Sequence, residues 1–125
     1  MKNLLIVTAV IEVVTGLVLV AIPTLLATIL LGSSLDSPVE LIVMRVAGVA
    51  LLALGLACWF ARLDGESRTT RGLVTAMVVY NAGIVTLLTL AGIGSGLSSI
   101  GLWAIVLLHT GLTIWCLTCL LKKPA

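Results

Sequence analysis

From Gly72 to Leu121 fifty consecutive residues pass without one Asp, Glu, Lys or Arg. A soluble surface needs charge at shorter intervals, whereas two membrane crossings joined by a short turn need an uncharged stretch of about this length. The remainder of the chain agrees. Of its 125 residues 61% are apolar and 10% charged, and the mean hydropathy is +1.32, where an average soluble domain carries roughly a quarter charged residues. The sequence therefore predicts a chain whose solvent is lipid. Any chemistry has to lie inside a helical bundle or at its mouths, because too little chain is left for a soluble catalytic domain.

With about 20 residues per crossing, the apolar runs fit four spans, at about 4–22, 41–61, 72–91 and 100–121. The expected fold is an all-α integral membrane protein, a four-transmembrane-helix bundle forming a single membrane domain over residues 1–125. Six of the seven basic residues, Lys2, Arg62, Arg68, Arg71, Lys122 and Lys123, fall at the ends that such a bundle would bring to one side. The loops 32–40 and 92–99 have none, while Asp36 and Glu40 mark the other side. Cytoplasmic loops carry the Lys and Arg excess, so both termini are expected in the cytoplasm. The net charge of +2 then reports topology, and no nucleic-acid partner is indicated.

The first run reads as an uncleaved helix: it is longer than a signal-peptide core, Glu12 interrupts it, and no A-x-A-like site follows Ala21-Ile22-Pro23. It also runs on past Pro23 to Leu31. One helix over 4–31 would be about 42 Å long, too long for a hydrocarbon core of about 30 Å, so a kink or break is expected at Pro23, with 24–31 as an outer interfacial segment. The Gly92-to-Ser99 loop, rich in Gly and Ser, reads as a flexible turn and not as a phosphate cradle. Small residues at Ala50, Ala53, Ala57 and Ala61, and at Gly72 and Ala76, mark faces for close helix contact within the bundle or between protomers.

Ionisable residues inside a span cost roughly 2.5–3.5 kcal/mol each on insertion scales, and so point to function or to specific pairing. Glu12, Arg45 and His109 are such residues, joined by Tyr80 and Asn81. Counting helical rise from the basic ends places Glu12, Tyr80, Asn81 and Thr113 in one layer, with His109 one turn beyond. Arg45 lies nearer the opposite end, level with Trp103 and beneath Glu40, Ser98 and Ser99, where it can snorkel or hold a headgroup. Thr8, Glu12 and Gly16 form one stripe. Arg45, Gly48, Leu52, Gly55, Trp59 and Arg62 form another, and Ile105, His109, Thr113 and Cys116 a third, each expected to face inward.

Two readings of Glu12 stay open: a hydrogen-bonded packing element, or a group that binds a ligand or carries protons. A single His109 falls short of bis-histidine haem ligation. Cys58, Cys116 and Cys119 are expected near the cytoplasmic edge as reduced thiols, either as small packing groups or as ligands for a soft metal. Trp59, Trp103 and Trp115 read as interfacial anchors. No nucleophile with its base, P-loop or paired-carboxylate signature is legible, so nothing indicates an enzyme.

With Glu12-x-x-x-Gly16, Pro23, Arg45-x-x-Gly48, Gly55-x-x-x-Trp59-x-Ala-Arg62 and Tyr80-Asn81 in place, the chain resembles the small four-helix inner-membrane proteins common in bacteria. Its Arg45-x-x-Gly48 and Gly55 portion is similar to DoxX-like proteins, which implies a four-helix membrane fold in the bacterial inner membrane. Glu12 with Ala9 to Gly16 also resembles the first helix of small multidrug-resistance exporters, although the third span lacks their Trp- and Gly-rich pattern. The expected function is binding of an apolar or amphipathic ligand, lipid-like or quinone-like, or an accessory role in a membrane complex. Glu12, Arg45, Tyr80, Asn81, His109 and Thr113 are the candidate ligand-binding residues. Membrane lipids and either further copies of the chain or a larger membrane complex are the expected partners. Proton-coupled export through Glu12 is the alternative.

Overall fold

The computed structural model describes residues 1–35, 37–97 and 99–122. Among them the regular structure is all helical: α1 (Lys2–Ala21), α2 (Pro23–Leu31), α3 (Pro38–Ala61), α4 (Arg68–Gly94) and α5 (Ile100–Leu121). Asp36, Ser98 and Lys123, which enter the sequence reading of the two ends, lie outside the described residues. The helices α1, α3, α4 and α5 are each long and apolar enough to cross a membrane.

Three of the helices begin at a serine, which explains why two of them start ahead of the apolar runs. Ser37 and Glu40 form a capping box: the Ser37 hydroxyl accepts from the Val39 N–H (3.2 Å), and the Ser37 N–H donates to Glu40 Oε2 (3.1 Å). The Ser67 and Ser99 hydroxyls likewise accept from the N–H groups of Thr70 and Leu102. Each cap satisfies a backbone donor that the first turn leaves without a helical acceptor.

The apolar run past Ile22 does not prolong α1. At Ile22 the backbone leaves the helical region (φ −138°, ψ 63°), and Pro23 opens α2, which ends at Gly32 in the left-handed conformation (φ 67°). A proline lacks the N–H that a continuing helix would need, but suits a helix's first turn. One side of α2 is buried, with Ala27 fully covered, while Leu25 and Ile29 are exposed. Its end is held by α5: the Ser99 hydroxyl donates to the carbonyl oxygens of Leu30 and Ile29. Gly101 leaves room there for the Ile29 carbonyl, which any β-carbon would strike. Ser99 is thus both the cap of α5 and the tether of α2. Ser99→Ala is expected to cost about 1–2 kcal/mol and to raise cysteine-labelling rates at α2 positions such as Leu30→Cys. Unchanged stability and labelling would remove the tether from the account.

The four long helices pack as two antiparallel pairs, α1 with α3 and α4 with α5. The first pair is the tighter because glycine faces backbone. A β-carbon on Gly16 would lie 2.7 Å from the Gly48 carbonyl oxygen, one on Gly48 would lie 2.8 Å from that of Gly16, and one on Gly55 would meet Val13 Cγ2 at 2.7 Å. Of the two uses left open for the small-residue faces, contact within the bundle or between protomers, the first falls to the glycines and to Ala61. Ala50, Ala53 and Ala57 are exposed and only Ala61 turns inward. Gly72 has open space around it and Ala76 is exposed. The alanines recur at helical spacing on the outward side of α3, one step around from the Gly48 and Gly55 face.

The best-packed core joins Leu4, Leu5 and Ala9 to Cys58, Ala61, Val74, Met77, Leu112, Cys116 and Cys119. It lies at the end of the bundle where Lys2, Arg62, Arg68, Arg71 and Lys122 gather, because α1 and α4 start there and α3 and α5 finish there. Arg71 closes that end by donating to the Leu120 carbonyl at 2.8 Å, a favourable place for a cation at a helix C-terminus. The three thiols are free and buried. Among the described residues no three His, Cys, Asp or Glu side chains converge as a metal site requires. Cys58 and Cys116, both fully covered, act as small packing groups.

Outside this core the surface is unlike a soluble protein's, apolar over most of its length while several polar side chains turn inward. Glu12, Asn81, His109, Thr8 and Thr70 are buried, whereas Phe60, Val79, Leu87, Ile93 and Leu107 are well exposed.

Candidate functional site

Halfway along the bundle, packed core gives way to space. A cavity of about 200 Å³ lies between α1, α3, α4 and α5 and is roofed by Leu26 and Leu30 of α2. Its walls include Ile11, Leu19, Met44, Leu51, Ile84, Leu88, Ile105 and Leu108, and its polar lining consists of Glu12, Thr15, Tyr80 and His109. The polar groups sit at the inner end, next to the packed core. Further from the basic end, every lining residue is apolar.

Glu12 comes from the inward stripe of α1. It is 1% exposed, and the Tyr80 hydroxyl donates to its Oε2 across 3.4 Å, a long bond. Glu12 Oε1 and the neighbouring Thr8 Oγ1 have no hydrogen-bond partner and are enclosed. A buried carboxyl group with so little compensation is costly; among the described residues the other enclosed side-chain atom without a partner is Arg71 Nη1, at the basic end.

Asn81 and His109 form the complementary half. Asn81 is fully buried and its Nδ2 donates to the Met77 carbonyl at 2.7 Å, directing Oδ1 toward His109 Nδ1, also 2.7 Å away. An amide oxygen can only accept, so Nδ1 carries the proton and Nε2 of the neutral ring is left as an acceptor. Among the described residues nothing partners Nε2, which unlike Glu12 Oε1 is not enclosed, and the ring lies on the cavity wall. The Tyr80 ring meets the imidazole edge to face, with centroids 5.8 Å apart and planes at 81°, an arrangement that holds both rings in position.

Four of the six candidate residues, Glu12, Tyr80, Asn81 and His109, thus meet in one cluster. Thr113 does not join it: its hydroxyl donates to the His109 carbonyl at 2.8 Å, the back-bond common for Thr in helices, and it lines a groove on the outer α4–α5 surface. Arg45 does not join it either. It is exposed, in an outer groove beside Ile42, Val46, Ala50 and Ala53, and has no ion pair or hydrogen bond among the described residues. The inward stripe of α3 runs through Met44, Gly48, Leu51 and Gly55, so the expectation that Arg45 faces inward is corrected. Trp59 is likewise 41% exposed, with the Arg62 guanidinium 3.7 Å above its ring.

Thr15 and the α2 roof are the parts sequence reasoning missed. Thr15 lies three residues from Glu12 and was available to a periodicity argument; for the inward turn of Leu26 and Leu30 the sole cue was the pair Thr24 and Thr28, which marks the exposed face of an otherwise apolar α2. No protein-family model matches the chain, and neither a curated protein nor a solved structure matches it.

Proposed function

We propose that the protein is an integral membrane protein that binds an apolar or amphipathic molecule in the cavity beneath α2, with the ligand's polar end on Glu12, Tyr80 and His109. The observation that carries this reading is an apolar chamber ending on buried polar groups with unmet hydrogen-bonding capacity, a combination typical of small-molecule sites. The basic residues gathered at one end, Lys2, Arg62, Arg68, Arg71 and Lys122, favour an orientation with both termini in the cytoplasm, and the resemblance to small four-helix proteins favours the bacterial inner membrane. Arg45, on another face, is free to snorkel to the opposite interface and is no part of this site.

Native mass spectrometry of the protein released from its membrane into mild detergent tests the proposal. Wild type is expected to carry a bound apolar mass. Ile84→Trp, which fills the cavity, is expected to reduce it by about tenfold or more, a loss of at least about 1.4 kcal/mol, while Arg45→Ala leaves it unchanged. Equal retention by Ile84→Trp overturns the assignment. An accessory role would instead show as a stable protein partner whose binding ignores both substitutions.

A second reading, proton-coupled export, draws support from the same under-satisfied Glu12. It requires Glu12-dependent, proton-driven flux in reconstituted vesicles, and fails without it.

A further inference from the structure

The polar end of the cavity is asymmetric in its hydrogen-bond chemistry. Asn81 fixes the proton of His109 on Nδ1, which leaves Nε2 offering a lone pair to the cavity. Tyr80 already directs its hydroxyl proton to Glu12, and Glu12 adds further acceptor capacity on a side chain whose terminal torsion is soft. Thr15, the fourth polar group of the lining, has a hydroxyl that rotates to donate or accept and so does not discriminate. No Lys or Arg lines the chamber.

From this we infer that the cavity selects an uncharged amphipath whose head donates a hydrogen bond, an alcohol, phenol or quinol, over ethers, esters and ketones of the same shape. The inference rests on the ligand-binding reading above and specifies its substrate class. A donor head satisfies His109 Nε2 and can also reach Glu12. An acceptor-only head would leave His109 Nε2 desolvated and unpaired, and sites built around a hydrogen bond reject analogues that lack it. An anionic head meets Glu12 with no cation to balance it. A cationic head would bring a full charge into a chamber with a single carboxyl group and otherwise mostly apolar walls, where desolvation opposes it.

The test uses the full-length protein, delipidated in mild detergent, and four probes that share one tail: 4-hexylphenol, its methyl ether, 4-hexylbenzoate and 4-hexylbenzylammonium. Retention is read by equilibrium dialysis. The phenol is expected to bind about tenfold more tightly than the methyl ether, and both charged probes more weakly than the phenol. In His109→Phe the preference for phenol over ether is expected to shrink while both still bind. Equal binding of phenol and ether by wild type overturns the donor-head inference and leaves the cavity's ligand-binding role standing. Tighter binding of the ammonium probe also overturns it, in favour of the exporter reading. If no probe binds better to wild type than to Ile84→Trp, the inference and the ligand-binding reading fall together.

Discussion

Gly48→Val is expected to destabilise the protein by about 3 kcal/mol, the upper part of the range for overpacked interiors. A β-carbon alone at this position comes within 2.8 Å of the Gly16 carbonyl oxygen and of Leu19 Cβ, and within 2.9 Å of Val20 Cγ2. The first two belong to or adjoin the α1 backbone, so no rotamer change can move them away, and the helices themselves must separate. Separation of α1 from α3 also shifts Glu12 relative to Tyr80, which is on the other helix pair. Gly83 and Gly111 supply the comparison, since a β-carbon at either meets nothing within 4 Å. Gly83→Ala and Gly111→Ala are expected to change stability by about 0.5 kcal/mol or less, or to raise it through helix propensity. Unfolding in mixed micelles of increasing denaturing-detergent fraction, followed by circular dichroism, measures all three. A Gly48→Val protein as stable as Gly83→Ala would mean that the α1–α3 crossing is not set by glycine contact.

That crossing shows how far sequence reading reaches. The four long helices were legible because uncharged runs of membrane length admit little else, and the chain break at Pro23 because length and proline chemistry agree there. Glu12, Tyr80, Asn81 and His109 were legible as one cluster because an ionisable or amide group in an apolar span needs a partner, and helical rise limits which partners share its depth. Faces were harder to read. A stripe at 3,4 spacing covers an arc wide enough to include both Met44 and Arg45, and only packing decides that Met44 turns in and Arg45 out. Thr113 has the right depth and spacing, but its back-bond to the His109 carbonyl satisfies the hydroxyl locally. The alanine stripe was ambiguous for a related reason: small residues permit close approach without requiring it, and α1 takes the glycine side, where its backbone comes closest, leaving Ala50, Ala53 and Ala57 on the outer surface. The cavity itself had no sequence signal, since it arises from where α2 folds back and from what the two helix pairs leave unfilled between them.

The second large effect is expected at Asn81, which organises the site without lining the cavity. Asn81→Leu keeps the side-chain volume nearly constant, so cavity formation contributes little, and the Met77 carbonyl that loses Nδ2 still has its helical acceptor role. The change therefore isolates one loss: His109 Nδ1 is left buried without its partner, as an N–H with no acceptor or, once the proton moves to Nε2, as a lone pair with no donor. Such a group costs about 1–3 kcal/mol, and a loss of about 2 kcal/mol is expected in the same micelle titration. His109→Phe alone should also destabilise, because Asn81 Oδ1 then has no donor, while the phenyl ring keeps the edge-to-face contact with Tyr80. The double variant removes donor and acceptor together and is expected to be more stable than the sum of the single losses predicts, by about 1 kcal/mol, within the range seen for interhelical hydrogen bonds in membrane proteins. Strict additivity would show that the 2.7 Å contact contributes nothing to stability. The same variant also separates structure from selectivity. With Oδ1 gone, the imidazole can move its proton to Nε2, the acceptor on the cavity wall becomes a donor, and the ranking of phenol over methyl ether should weaken even in Asn81→Leu protein that remains folded.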